Sequence, residues 1–134
     1  KNGKIIAVDI LPMEPIRNVQ FILGDFLDQN FQKKIFEGSN KKMDIVLSDM
    51  ASNTTGNKAL DSYRTAELCL NAMELARSML NNNGIFIAKF FMGESHKQIQ
   101  KKANIIFKKV KFYKPNASRK DSKELYLICK NIIN

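Results

Sequence analysis

The chain has 134 residues, 44% of them hydrophobic and 26% charged, enough for one buried core and ordinary for a globular protein. No apolar run nears the roughly 20 residues a membrane helix needs, and the opening Lys1-Asn2-Gly3-Lys4 does not read as a secretory leader. A net charge of +9, with an isoelectric point near 9.6, points to a polyanionic partner, although charge says nothing about fold.

The first element is Lys4-Ile5-Ile6-Ala7-Val8-Asp9, a continuous apolar run that ends in an acid. Val19 to Asp25 repeats the form, and so does Met43 to Asp49. Runs of this length that are apolar on both faces have the character of buried parallel strands. A polar connection, Ala51 to Asp61, follows the third run. A helix is expected from about Tyr63 to Leu80, with Leu68, Ala72, Leu75, Ala76 and Met79 along one stripe. Asn81-Asn82-Asn83-Gly84 offers residues that tolerate a left-handed helix cap.

A fourth strand is expected over Gly84 to Phe91 and a second helix over about Ser95 to Phe107, with Ile99, Ala103, Ile106 and Phe107 on one side. Val110 to Tyr113 and Glu124 to Cys129 read as two more strands. Alternation of this kind predicts an open α/β sheet with helices on both faces. Ligands of such sheets bind at the carboxyl edge of the strands, where the polar connection after Asp49 would lie.

Asp9, Asp25 and Asp49 each end a predicted strand at that edge. An acid after a strand of a nucleotide-binding fold accepts hydrogen bonds from ribose hydroxyls. A second carboxylate, purely an acceptor, can take a proton from an adenine amino group. Three such acids in succession point to a nucleoside-bearing ligand. Lys89 is embedded between Ala88 and Phe90. It is either an edge residue whose stem packs while its amine reaches water, or a partly desolvated amine that serves as a general base. Glu124 on its own reads as an ordinary acid at the start of a strand.

Between Lys101 and Lys123 stand nine basic residues, among them Lys108, Lys109, Lys111, Lys114, Arg119, Lys120 and Lys123, against Asp121 alone. The segment therefore carries +8 of the total. Lysines near phosphates gain affinity by releasing counterions, so nucleic acid is the natural partner. The alternative is a solvated face in a lysine-rich chain, with Lys outnumbering Arg 18 to 4. His96, the one histidine, reads as a surface residue, and a hydrolase triad finds no support. Cys69 and Cys129 read as reduced core thiols. No Cys pair or Cys/His cluster has zinc-site spacing, so no metal is expected.

Several segments together resemble the FtsJ family of ribosomal RNA methyltransferases over essentially the whole chain. They are Ile5 to Met13, Gly24-Asp25-Phe26, Leu47-Ser48-Asp49-Met50-Ala51-Ser52-Asn53 and Ala88 to Glu94. Lys114-Pro115, Ser118-Arg119 and Ser122-Lys123-Glu124-Leu125-Tyr126 complete the match. The resemblance implies a Rossmann-like class I methyltransferase that uses S-adenosylmethionine, built on a mostly parallel sheet with helices on both faces. It implies that Asp9 holds the cofactor's ribose, Asp25 its adenine, and Asp49 its methionine end. It also implies a catalytic set containing Asp49, Lys89 and Glu124, with Lys89 as principal base.

Two departures stand out. The family's glycine-rich loop and its first catalytic lysine are absent from this sequence; a smaller departure is Ser52, where the family usually has proline. The expectation is a single methyltransferase domain over residues 1–134 that is truncated at its N-terminus and begins at the family's second strand.

The reaction implied is displacement at the sulfonium methyl by a ribose 2′-oxygen. The implied substrate is a uridine in the A loop of large-subunit ribosomal RNA, presented on the assembled large subunit. Methylation of transfer RNA or of a messenger cap stays open, as does a non-catalytic RNA-binding module on a degenerate fold. A monomer without membrane attachment is expected in the cytoplasm, with an organelle such as the mitochondrion left open.

Overall fold

A computed structural model of the chain describes residues 3–39, 42–50, 55–115 and 124–133. The chain divides into two compact units, residues 1–41 and residues 42–134. No helix among the described residues is long and apolar enough to cross a membrane.

In the first unit, β1 (Ile5–Asp9) and β2 (Val19–Leu23) pair in parallel, from Ile5 opposite Val19 to Asp9 opposite Leu23. The amide of Gly24 donates to the Asp9 carbonyl at 3.0 Å and carries the pairing one step further. Helix α1 (Gln29–Ser39) follows, with Phe31 and Ile35 buried one helical turn apart. The sequence reading assigned no element here, because one apolar pair is too short a pattern to define a face. Phe31 lies so close to Gly24 that any side chain at that position would collide with its ring.

The second unit is a four-stranded sheet in the order β3-β4-β6-β5. Its strands are β3 (Met43–Ser48), β4 (Leu80–Phe91), β5 (Phe107–Tyr113) and β6 (Glu124–Ile132). Strand β3 runs parallel to β4, while β6 is antiparallel to both β4 and β5. Helix α2 (Lys58–Met79) joins β3 to β4, and α3 (His96–Ile106) joins β4 to β5. Helix α2 begins before its expected start because Asn57 caps it, its side chain accepting from the Leu60 amide at 3.2 Å. Its buried stripe runs through Ala66, Cys69, Ala72, Met73, Ala76 and Met79, so it centres beside Leu68 and Leu75, which are half-buried.

The core lies between these two helices and one face of the sheet. Phe86, Ala88 and Phe90 of β4, Leu125, Leu127 and Cys129 of β6, and Ile99, Ala103 and Ile106 of α3 are all buried. Alternation places Ile85, Ile87, Lys89 and Phe91 on the opposite face, where every one of them is only half-buried. Burial of the first three strands departs from the sequence reading. No residue of β1, β2 or β3 is fully buried. Strand β3 is an edge strand whose Ile45 and Leu47 are 57% and 70% exposed.

The Asn81–Gly84 stretch does not cap α2 with a left-handed turn. Leu80 passes straight into extended backbone, its amide bonded to the Ala76 carbonyl. The pairing with β3 then shifts between Met43 and Ile45, and Asn81 Nδ2 donates to Asp44 Oδ1 at 2.8 Å across that irregularity.

Candidate active site

Sheet register explains how three distant residues meet. Ser48 stands opposite Ala88 in the parallel pair of β3 and β4, so Asp49 arrives beside Lys89. Lys89 stands opposite Tyr126 in the antiparallel pair of β4 and β6, and Glu124 stands opposite Phe91. Directly opposed residues share a face, as do residues two apart on one strand. Lys89, Phe91, Tyr126 and Glu124 therefore all emerge on the face away from the helices.

The distances follow from that register. Lys89 Nζ lies 2.6 Å from Asp49 Oδ1 and 3.9 Å from Glu124 Oε1. The Lys89 side chain is 20% exposed, while Asp49 and Glu124 are 71% and 44% exposed. The amine is thus the most enclosed member of the cluster and the acids open outward. The hydrogen bond from Lys89 to Asp49 holds the lysine pKa above its usual value. Burial opposes the rise, and the charges of Asp49 and Glu124, with Tyr126, add to it. In this arrangement the acids outweigh burial and favour the charged form of Lys89.

Asp9 and Asp25 end their strands in the first unit. Asp9 Oδ1 accepts from the Leu11 amide at 3.1 Å, and Asp25 Oδ1 accepts from the Leu27 amide at 3.0 Å. Each acid thereby fixes the turn that follows it, and both carboxylates are exposed. Near the start of α2, the Thr55 amide and hydroxyl both donate to Asp61 Oδ1, at 2.9 and 2.8 Å. Those bonds, the backbone one first, lower the Asp61 pKa.

Other sequence-predicted residues are placed as follows. Lys108, Lys109, Lys111 and Lys114 are exposed on or just after β5, whereas Arg119, Lys120 and Lys123 lie outside the described residues. His96 is not a surface residue. It is half-buried, its ring stacked on Phe112 at 4.4 Å and tilted against Phe90 at 5.7 Å. A polar setting in sequence hid those partners, which come from two other elements. Tyr126 was missed as a neighbour of Lys89. Its signal was the two-residue spacing from Glu124, which sets both on one side of a strand.

Residues 1–132 match the sequence model of the FtsJ-like methyltransferases. The chain belongs to this family. Among its FtsJ-like relatives, it is 46% identical to ribosomal RNA large subunit methyltransferase E of Rickettsia akari, over 97% of this chain and 57% of that protein. It is 44% identical to the protein of that name from Pelagibacter ubique, over 97% and 64%. The chain thus spans less than two-thirds of these curated relatives. A crystal structure of a Plasmodium falciparum protein described as a ribosomal RNA methyltransferase superposes with a TM-score of 0.83 at 33% identity, over 98% of this chain and 73% of that one. Human methyltransferase-like protein 13, solved with SAH, superposes with a TM-score of 0.68 at 14% identity, over 96% and 61%, and shares the fold alone. The fold is that of the Rossmann-like methyltransferases, with an antiparallel ending at β5 and β6.

Proposed function

We propose that the chain is part of an enzyme that methylates a ribose 2′-oxygen in large-subunit ribosomal RNA, with S-adenosylmethionine as methyl donor. The observation that carries the proposal is the Lys89 amine held between Asp49 and Glu124 on one face of the sheet. The printed names of the relatives supply the substrate class. On this reading residues 1–134 are one part of a single methyltransferase domain, acting as a monomer in the cytoplasm or an organelle.

The donor set fits the cofactor. Two exposed carboxylates at neighbouring strand ends, Asp9 and Asp25, offer acceptors suited to ribose hydroxyls and an adenine amine. Asp49 would face the methionine end. When bound, S-adenosylmethionine supplies a methyl group activated by a positive sulfur. The chain's own residues then align the acceptor and handle one proton.

Lys89, once neutral, takes the proton of the ribose 2′-hydroxyl. Asp49 and Glu124 hold the amine at the reacting oxygen and also keep it protonated at rest, so the productive form is a minor one near neutrality. A cation placed beside Lys89 would lower its pKa and enlarge that fraction.

The test is methyl transfer from labelled S-adenosylmethionine to purified large ribosomal subunits, by the protein bearing this chain and by its Lys89→Ala variant. Label on a ribose 2′-oxygen with the parent, at least about a hundredfold slower with the variant at unchanged cofactor affinity, is the expected result. Cofactor binding without transfer would move the substrate to transfer RNA or a messenger cap. Absence of cofactor binding would leave an RNA-binding module.

A further inference from the structure

Sheet register gives Lys89 a fixed set of neighbours. Across the β4–β6 ladder it stands directly opposite Tyr126, and Tyr126 is opposed on its other side by Tyr113 of β5. Along β4 the residues on the same side as Lys89 are Ile87 and Phe91, and Phe91 is opposed by Glu124. Asp49 closes the side toward β3. Lys89, Tyr126, Ile87 and Phe91 are all half-buried.

Directly opposed residues of an antiparallel pair have Cβ atoms about 5 Å apart, nearer than any diagonal neighbour. The Lys89 stem therefore leaves the sheet beside Tyr126, and its charge senses the phenol. This adjacency belongs to backbone pairing within one sheet, so it holds whatever packs over the face.

The acids and the tyrosine act on the lysine in different ways. Asp49 and Glu124 hold the charged end, at 2.6 and 3.9 Å from Nζ. Once the amine is neutral, that attraction falls away and the flexible four-carbon stem is free to turn. The productive form therefore needs a restraint that does not depend on charge. A rigid ring directly opposite supplies one, because packing acts on the stem and not on the ammonium.

We infer that Tyr126 is a positioning residue of the proposed reaction, its ring walling the Lys89 stem on the β6 side so that the neutral amine stays aimed at the acceptor oxygen. The inference rests on the reading of Lys89 as the base. Tyr113 backs Tyr126 from the far side and keeps it against the lysine. The phenol adds a smaller effect. Once ionised, it joins Asp49 and Glu124 in supporting the ammonium. Asp49 thus faces the amine from the end of β3, and Glu124 and Tyr126 face it from β6, while Ile87 and Phe91 on its own strand carry no charge.

The test measures kcat, the KM for S-adenosylmethionine and the pH profile of methyl transfer, using the protein bearing this chain. Tyr126→Ala should lower kcat about tenfold at unchanged KM, because the base loses its fixed direction. Tyr126→Phe keeps the ring and should restore most of that loss. Its alkaline limb should also move to lower pH, since a negative neighbour of the amine is gone. Ile128→Ala removes half-buried packing two residues along the same side of β6; it should lower Tm and leave kcat in place.

Unchanged kcat in Tyr126→Ala would overturn the role. So would a loss in Ile128→Ala as large as in Tyr126→Ala, which would mean general loosening of the ladder, or a failure of Tyr126→Phe to restore turnover. The titration of Lys89 itself, followed by the NMR shift of its ε-carbon, needs no turnover. No transfer by the parent, with that titration still responsive to Tyr126, would overturn the proposed reaction and leave the Lys89–Tyr126 contact standing. Transfer by the parent with Lys89 insensitive to Tyr126 would overturn the positioning role alone.

Discussion

Lys89 stands directly opposite Tyr126 across the β4–β6 ladder, and its amine reaches sideways to Asp49 at 2.6 Å. The ladder therefore fixes where the lysine stem leaves the sheet, and the acid fixes where its charge ends. That pairing has a pH consequence. The hydrogen bond to Asp49 raises the Lys89 pKa above its usual value, so the neutral form needed of a base grows as pH rises. Methyl transfer at saturating substrates should climb with pH through the alkaline range until the protein fails. Asp49→Asn removes the strongest support of the ammonium and should move that limb to lower pH. It should also cut the plateau about a hundredfold, because the amine loses its fixed position. A limb that stays in place in the variant would show that another group sets it.

Asp9 and Asp25 invite a different substitution. Each uses one carboxylate oxygen to hold the turn after it, at Leu11 and Leu27, so alanine would damage both turn and site. Asparagine keeps a carbonyl for the turn amide and removes the charge. Asp9→Asn and Asp25→Asn should each raise the KM for S-adenosylmethionine by about tenfold or more, the scale of a lost hydrogen bond to a charged group. The kcat at saturation should change little. A collapse of kcat at unchanged KM would place these acids at the reacting centre instead.

The sequence was most legible where pattern and partner lie on one element. Ile99, Ala103 and Ile106 repeat at helical spacing, and they are buried on α3 as that spacing requires. Asp49 could be picked out as an acid ending a strand and Lys89 as a lysine embedded in an apolar run, whereas Glu124 joined them only through the family resemblance; parallel pairing of β3 with β4 brings the first two together. What stayed hidden depends on partners from other elements. His96 looked solvated because its own neighbours are polar, whereas Phe90 and Phe112 reach it from β4 and β5. The common face of Tyr113 and Lys89 needs the insertion of β6 between β5 and β4, an order that no local pattern encodes.

Asn57 offers a test of stability away from the candidate site. Its side chain accepts from the Leu60 amide at 3.2 Å, while its carbonyl accepts from the Asp61 amide at 2.9 Å. Only the first bond is lost in Asn57→Ala. The expected cost is about 1 kcal/mol, seen as a fall in Tm of about 4 °C. Asn57→Asp should recover most of it, since the carboxylate accepts the same bond and favours the helix N-terminus. No change in Tm for the alanine variant would mean that α2 does not begin at this cap.

The two thiols test the core itself. Cys69 and Cys129 are free and buried, on α2 and on β6. Burial pushes both thiol pKa values up to about 12, and Cys129 also senses Cys69. The reactive thiolate is then far scarcer at pH 8 than for a free cysteine, of which roughly a quarter is ionised there. Exclusion of the reagent slows the reaction further. A thiol-reactive dye should therefore label neither cysteine in the folded protein within minutes and both at once in denaturant. Under native conditions labelling should follow the rate of opening and rise with temperature as the core loosens. A cysteine that labels natively at the denatured rate would mean that its side of the α2–β6 core is open. Cys69 alone would implicate the packing of α2 on the sheet, and Cys129 alone the β6 register.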